Sequence, residues 1–376
     1  MPPESNPAIR ADDAQAYHHA PDAASSSDAT RCSTLERMPK WLICIPLAVQ
    51  WIWLTLRYRS ATLPSAANPA ITSGGLVGEG KLEYFNHMGP VARAATADFC
   101  AVSTATLPDS VALLATLQVA GLSFPIIAKP DLGLCGYGVQ RLDNLAQLLA
   151  YLAAFPPHET VVLQRYLSQE GEAGIFYARD PESGDARIIG LALRYFPRVI
   201  GDGLHTIGEL IAVDPRARRL TRSSQHAGQF SINEIPAAGA VVRLATIGST
   251  RVGGLYRNGA SCITPSLSAA IDAIARDMPE FYCGRFDVRF DHLHELCAGR
   301  GFSIIEINGA GSEAIQAWDP DIGVIDGFRM IFAKQRVLFA IGDAMRRRGV
   351  KPIGLVALRA LYRRQQHLIS HYPPSN

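Results

Sequence analysis

The sequence predicts an α+β (α/β) fold, and three observations carry the prediction. From Pro108 onward β-like runs alternate with helical ones. A glycine-rich stretch, KPDLGLCGYGV, follows directly on one of those β runs. A charged hairpin then closes the pattern: FYCGRFDVRFDHLHELCAGRGFSIIEINGAG, residues 281–311. At 376 residues and 48% apolar, the chain has enough material for a sizeable core and two or three subdomains.

Composition excludes more than it names. A net charge of +2 argues against an extended nucleic-acid footprint, although the C-terminal end is locally basic at Arg346–Arg348, Arg359, Arg363 and Arg364. Seven cysteines are dispersed with no CxxC pair, which points to reduced thiols in a cytoplasmic setting rather than a disulfide framework or a zinc site.

Residues 1–38, rich in Ala, Ser, Asp and Pro, read as a disordered tail. The next segment, 39–60, contains WLICIPLAVQWIWLTL (Trp41–Leu56) between Arg37 and Lys40 on one side and Arg57 and Arg59 on the other. Sixteen helical residues reach about 24 Å, short of a ~30 Å hydrocarbon core. Tryptophans with basic flanks suit a membrane interface, so peripheral attachment to the cytoplasmic face through 41–56 is expected; a buried core helix or an amphipathic cap on the folded domain is the alternative. Gly75–Lys81 (GLVGEGK) has the skeleton of a phosphate loop. It lacks both the following Ser or Thr and a preceding strand, and reads as a flexible glycine turn.

A helix over Asp109–Ala120 leads into a strand, Phe124–Lys129, and then into glycines 133, 136 and 138. Such spacing lets backbone N–H groups approach phosphates, with the lysine as a point charge. A helix over Asp143–Phe155, N-capped by Asp143, is followed by a strand (Thr160–Arg165) and a hairpin turning at Pro181–Asp185. Thr206 and Glu209 form a capping box. Residues 214–240, with Arg216, Arg218, Arg219, Arg222 and His226, read as a mobile substrate-facing loop or a solvated connection. A long amphipathic helix over Ile322–Arg348 and a shorter one complete the chain.

In the hairpin, alternation puts Arg285, Asp287 and Arg289 on one face of the first strand, and Glu306 and Asn308 on one face of the second. Asp287, Glu306 and Asn308 then converge as oxygen donors beside a guanidinium, a set suited to Mg²⁺ and phosphoryl chemistry. The plainer reading is the solvated face of an edge hairpin.

Taken together, IAKPDLGLCGYGV, VIGDGLHTIGELI and GRFD…EIN resemble the ATP-grasp superfamily, and most nearly its carboxylate–amine ligases of the D-alanine–D-alanine ligase and cyanophycin synthetase type. The resemblance covers roughly Leu122–Asp319. It implies two lobes clamping ATP over 122–320, a reduced pre-grasp region over 61–121 and a helical extension over 321–376. By position it implies phosphate binding by Lys129, the loop from Gly133 through Gly136 and Gly138 to Val139, and, more loosely, Arg194. It implies an adenine-lining strand at Gln164, Arg165 and Tyr166, and ribose binding by Glu172. Arg285 would act on the γ-phosphoryl, and Asp287, Glu306 and Asn308 would hold one or two Mg²⁺ (or Mn²⁺). The acceptor is expected near Arg222, His226 and Arg251, with backbone donors from Gly309–Ser312, Gly311 and Ser312 among them. The implied activity is amide formation from a small carboxylate and an amine through an acyl phosphate. A kinase and a nucleotide-binding module without turnover are the alternatives. The sequence names no oligomeric state.

Overall fold

The computed structural model describes residues 31–221 and 230–375. It opens with α1 (Thr34–Arg37), closed by a capping box between Ser33 and Glu36, with Leu35 buried beneath it. Residues 33–37, inside the stretch expected to be a disordered tail, are therefore packed; residues 1–30 lie outside the described residues. Glu36 is gripped by Arg216 at 2.7 Å and Arg219 at 3.1 Å. Those two arginines anchor α1 instead of facing a substrate.

Next comes α2 (Lys40–Tyr58), 19 residues and so longer than the apolar run alone suggests. Its inner side is tied down: Leu54 packs with Leu63 and Phe339, Trp51 meets the Phe339 ring edge-on at 5.0 Å, and Gln50 donates to the Phe332 carbonyl. Trp41, Ile45, Val49, Ile52, Trp53 and Leu56 are exposed, so α2 is not a buried core helix; it caps the domain with one side and leaves the other bare.

Turns then lead to α3 (Lys81–Phe85) and α4 (Pro90–Ala94), and to a first sheet with its helices. In chain order these are β1 (Phe99–Ser103), α5 (Ser110–Val119), β2 (Ile126–Pro130), β3 (Gln140–Leu142), α6 (Leu145–Ala154) and β4 (Thr160–Arg165). The strands lie in the order β1-β4-β2-β3. Ile126, Ala128, Val161 and Leu163 meet Leu113 and Leu117 of α5 and Leu148 and Leu152 of α6 in one core. Asn144, not Asp143, caps α6, because its side chain accepts from the Gln147 N–H.

The second sheet has the order β11-β10-β5-β6-β9. Its strands and their connections run β5 (Gly171–Arg179), β6 (Ala186–Tyr195), β7 (Arg198–Ile200), α7 (Ile207–Val213), α8 (Arg218–Thr221), β8 (Val241–Arg243), β9 (Leu255–Asn258), α9 (Pro265–Arg276), β10 (Cys283–Phe290), α10 (Leu293–Cys297) and β11 (Phe302–Asn308). Strands β7 and β8 form a separate ribbon. Period-two alternation sends Ile175, Tyr177, Phe286, Val288 and Phe290 to one face, against Leu267, Ile271 and Ile274 of α9. The opposite face keeps the polar residues. Finally α11 (Val324–Arg347) packs across the molecule, and α12 (Leu355–Ile369) carries the chain to its last described residues.

Candidate active site

The polar face of the second sheet is a ladder of charges built by register. Asp287 stands opposite Glu306, and Arg285 opposite Asn308. Glu172 of β5 stands between Arg289 of β10 and Arg194 of β6. Asp287, Glu306 and Asn308 thus share a face as alternation predicts, but Asn308 turns its amide nitrogen toward Asp287 at 3.5 Å and arginines lie against the carboxylates. Asp287 accepts from Arg285 Nε at 2.6 Å and Nη2 at 2.9 Å, and Arg194 lies 3.1 Å away. Arg194 also reaches Glu172 at 2.9 Å, and Arg289 reaches Glu172 at 3.2 Å. Asp287 is 1% exposed and Glu172 3%, so these pairs are desolvated. The solvated-hairpin reading fails at Asp287, whereas Glu306 on the second strand keeps 34% of its side chain exposed. Gly174 makes room for the ladder, since a Cβ there would sit 3.0 Å from Arg285 Cδ and 3.2 Å from Asp287 Oδ1.

Burial alone would depress both Arg194 and Arg285, yet the carboxylates beside them outweigh it and hold both above the usual arginine range. Glu306 shows the mirror case. Burial works to raise it, and Lys81, Lys129, Arg285 and Arg194 together keep it below the usual carboxylate range.

A β-bulge brings the two sheets together. Asp287 pairs with Glu306, while the next residue, Val288, pairs with Ile304; Ile305 is the extra residue. The Ile305 carbonyl accepts from Lys129 Nζ at 2.7 Å, and the same ammonium donates to Gln164 Oε1 at 2.7 Å. Burial pushes Lys129 down to about 7, with Glu306 opposing the shift. Gln164 therefore faces the lysine as well as lying on the expected strand. Arg165 pairs with Asp98 at the strand end, and Tyr166 lies under the Arg141 guanidinium at 4.6 Å.

Lys81 is the residue that sequence reasoning set aside. The segment 75–81 is not a phosphate loop, but it is not a free turn either. Gly75 backs directly onto Gly309, where a Cβ would come within 2.5 Å of the Gly309 Cα. The buried Lys81 ammonium lies 3.4 Å from Glu306, and a Cβ at Gly133 would lie 2.6 Å from it. Glu79 sits alongside, pushed up to about 7 by burial. Only the lysine ending the GEGK pattern hinted at this, because the contact with β11 spans more than two hundred residues of sequence.

The glycine-rich loop turns through positive φ at Cys135, Gly136 and Gly138. Its carbonyls are taken: Arg251 bonds Cys135 O at 3.1 Å, Ser375 bonds Gly136 O at 2.8 Å, and Tyr372 bonds Leu132 O at 2.6 Å. The N–H groups of Gly133, Leu134, Cys135, Gly136 and Gly138 have no hydrogen-bond partner among the described residues. The loop thus presents donors, as a phosphate site requires.

The acceptor-side expectations need correction. Arg251 pins the glycine loop and stacks on Tyr137 at 4.4 Å. The Ala310 and Gly311 N–H groups are spent on the Gly74 and Gly75 carbonyls, and that of Ser312 on Gly309, so these three offer no donors. The Ser312 hydroxyl is buried without a partner. Arg222 and His226 lie outside the described residues.

No protein-family model matches the chain, nor does any curated protein. Among solved structures, a bifunctional glutathione synthetase from Pasteurella multocida is similar at 15% identity over 68% of this chain and 38% of its own, with a TM-score of 0.35. This chain therefore spans well under half the length of that protein. A D-alanine–D-alanine ligase from Bacillus anthracis is similar at 12% identity over 74% of this chain and 70% of its own, with a TM-score of 0.40. The fold is α+β, with helices packed on two antiparallel sheets.

Proposed function

We propose that the chain is an ATP-dependent ligase that joins a small carboxylate to an amine through an acyl phosphate. One observation carries the reading. A loop with unspent N–H donors lies beside Lys81 at Gly133, and Lys81 reaches Glu306 on the charged face that carries Asp287, Asn308 and Arg285. Phosphoryl transfer is chiefly positioning and charge neutralisation, and this arrangement suits both.

The donor set fits a hard divalent cation. Among the described residues no three His, Cys, Asp or Glu side chains gather; the set is two carboxylates and Asn308, whose amide would have to turn its oxygen inward from the nitrogen-first contact it makes with Asp287. Asp287, Glu306 and Asn308 would hold one or two Mg²⁺, or Mn²⁺. A divalent cation held by them would supply charge neutralisation for a phosphoryl group. The γ-phosphoryl gives Arg285 a second anion to bind, which frees Asp287 oxygens for this role. A carboxylate oxygen of the acceptor then bonds to the γ-phosphorus as the bond to the ADP oxygen breaks. The amine attacks the acyl carbon, loses a proton and expels phosphate.

The exposed stripe of α2, between Lys40 and Arg57, suits the surface of an anionic bilayer. At about 28 Å the helix nearly matches a hydrocarbon core. Its ties to Leu63, Phe339 and Phe332 favour lying in the plane of the interface. Free cysteines throughout accord with a cytoplasmic site.

The test of the chemistry is hydroxylamine trapping. A hydroxamate should form only with ATP, Mg²⁺ and a carboxylate, and should vanish in Arg285→Ala. A phosphorylated alcohol or amine in its place would make the protein a kinase. No turnover with any carboxylate would leave only a nucleotide-binding module.

A further inference from the structure

The end of α12 and the residues after it lie against the glycine-rich loop, far from it in sequence. Gln365 Nε2 donates to the Gly133 carbonyl at 3.3 Å, the Tyr372 hydroxyl to the Leu132 carbonyl at 2.6 Å, and the Ser375 hydroxyl to the Gly136 carbonyl at 2.8 Å. This stretch is itself held down. Gln140 of β3 donates to the Pro374 carbonyl, the Tyr372 ring stacks on Phe155 at 5.1 Å, and Gln365 and Ser375 are buried. Gly138 is shaped for the contact, since a Cβ there would lie 3.1 Å from Tyr372 Cβ and 2.8 Å from Pro130 Cγ. Ser375 also ties the loop to the segment between β8 and β9. Its oxygen accepts from Arg251 Nη2 at 3.1 Å, and Arg251 Nε donates to the Cys135 carbonyl at 3.1 Å.

In a trans peptide unit the carbonyl and the following N–H point in opposite directions across a rigid plane. Holding the Leu132 and Gly133 carbonyls from outside therefore turns the N–H groups of Gly133 and Leu134 the other way. The Arg251 bond to Cys135 does the same for Gly136. These three N–H groups are among those with no hydrogen-bond partner among the described residues. Glycines alone do not arrange this, because they permit this turn and many others, and selecting one costs entropy. The selection needs partners outside the loop, and residues 365–375 supply them at Leu132, Gly133 and Gly136.

We propose that residues 365–375 form an outer brace for the glycine-rich loop, with Tyr372 and Ser375 as positioning residues that keep its N–H groups turned toward a polyphosphate. Neither side chain donates to the anion. The brace acts by preorganisation, so that a phosphate does not have to order the loop as it binds. The identity of the anion rests on the nucleotide site proposed above, while the brace rests on the contacts of Tyr372 and Ser375 themselves.

Tyr372→Phe keeps the ring on Phe155 and loses one hydrogen bond to the loop; Ser375→Ala loses another. The two would be made singly and together in the full chain. Binding of tripolyphosphate, a fluorescent ATP analogue and adenosine would be measured, with amide hydrogen exchange followed across 133–139. Each single variant should weaken tripolyphosphate and the ATP analogue by roughly three- to tenfold, the worth of one hydrogen bond, and leave adenosine unchanged. Exchange at Tyr137 and Val139, whose N–H groups close turns within the loop, should quicken while the melting temperature moves little. Unchanged polyphosphate affinity in the double variant overturns the proposal. So does an equal loss of adenosine and polyphosphate binding with a lowered melt, which is what a purely structural contact would give. Wild type that binds no tripolyphosphate overturns it as well. Weakened polyphosphate binding in a protein that forms no hydroxamate would sink the ligase and leave the brace standing. Hydroxamate formation with polyphosphate affinity unchanged in the double variant would do the reverse.

Discussion

Glu172→Gln separates two roles for one carboxylate. The sequence resemblance implies a ribose contact, whereas the structure buries Glu172 between Arg194 and Arg289 at 2.9 and 3.2 Å. Glutamine keeps the shape and removes the charge. Arg194 would retain Asp287, and Arg289 would retain the carbonyls of Gln169 and Thr246, so neither arginine is left wholly unpaired. Breaking a buried pair costs roughly 3–5 kcal/mol, and these remaining partners place the loss near the lower end, about 3 kcal/mol. For a domain of this size that is a fall of about 6–12 °C in melting temperature. Thermal and urea unfolding would measure it, with nucleotide affinity followed by a fluorescent ADP analogue. The expected result is a clear loss of stability with affinity changed only a few-fold. An unchanged melt with tenfold weaker nucleotide binding would refute the ion-triad account and restore the ribose contact.

Asp287→Asn and Glu306→Gln should each lower Mg²⁺-dependent ADP release by orders of magnitude, with the fold retained by circular dichroism; activity within a few-fold of wild type would exclude the metal role. Trp41→Ser with Trp53→Ser should release the protein from anionic vesicles in a sedimentation assay, whereas Trp51, bonded to the Ala61 carbonyl, should matter for folding instead. Wild type that stays in the supernatant counts against the membrane reading. Lys334 titrates at about 8 when folded and at 10.5 when unfolded, so between those values the unfolded chain holds more protons and this group makes stability rise with pH. The slope is at most about 1.4 kcal/mol per pH unit; Lys129 adds the same sign from pH 7, so the decisive comparison is wild type with Lys334→Met, which should lose the Lys334 part.

The hairpin was legible because its pattern is local. Alternation across Gly284–Phe290 and Phe302–Asn308 suffices to put Asp287, Glu306 and Asn308 on one face. Alternation does not set register, and the bulge at Ile305 that turns a carbonyl toward Lys129 has no mark in the sequence. Lys81 was hidden for a different reason. Its motif was weighed as a phosphate loop and dismissed on local grounds, while its role comes from packing against β11 and the glycine loop. Arg251 and the 310–312 backbone went the opposite way. They looked available in the sequence, but a donor's availability depends on which carbonyls the fold brings near, here those of Cys135, Gly74 and Gly75. The register that sets Glu172 between two arginines is likewise a property of three strands at once.

The Lys129 ammonium has two oxygen partners, one from each sheet: Gln164 and the bulged Ile305 carbonyl. If the proposed function holds, an incoming phosphate meets an internal rival, not a vacant charge. Nucleotide affinity would then be the difference between two ways of satisfying one lysine, and a change that weakens the internal bond should tighten binding without touching the ligand. The same ammonium is a clasp, since one group joins an oxygen of each sheet.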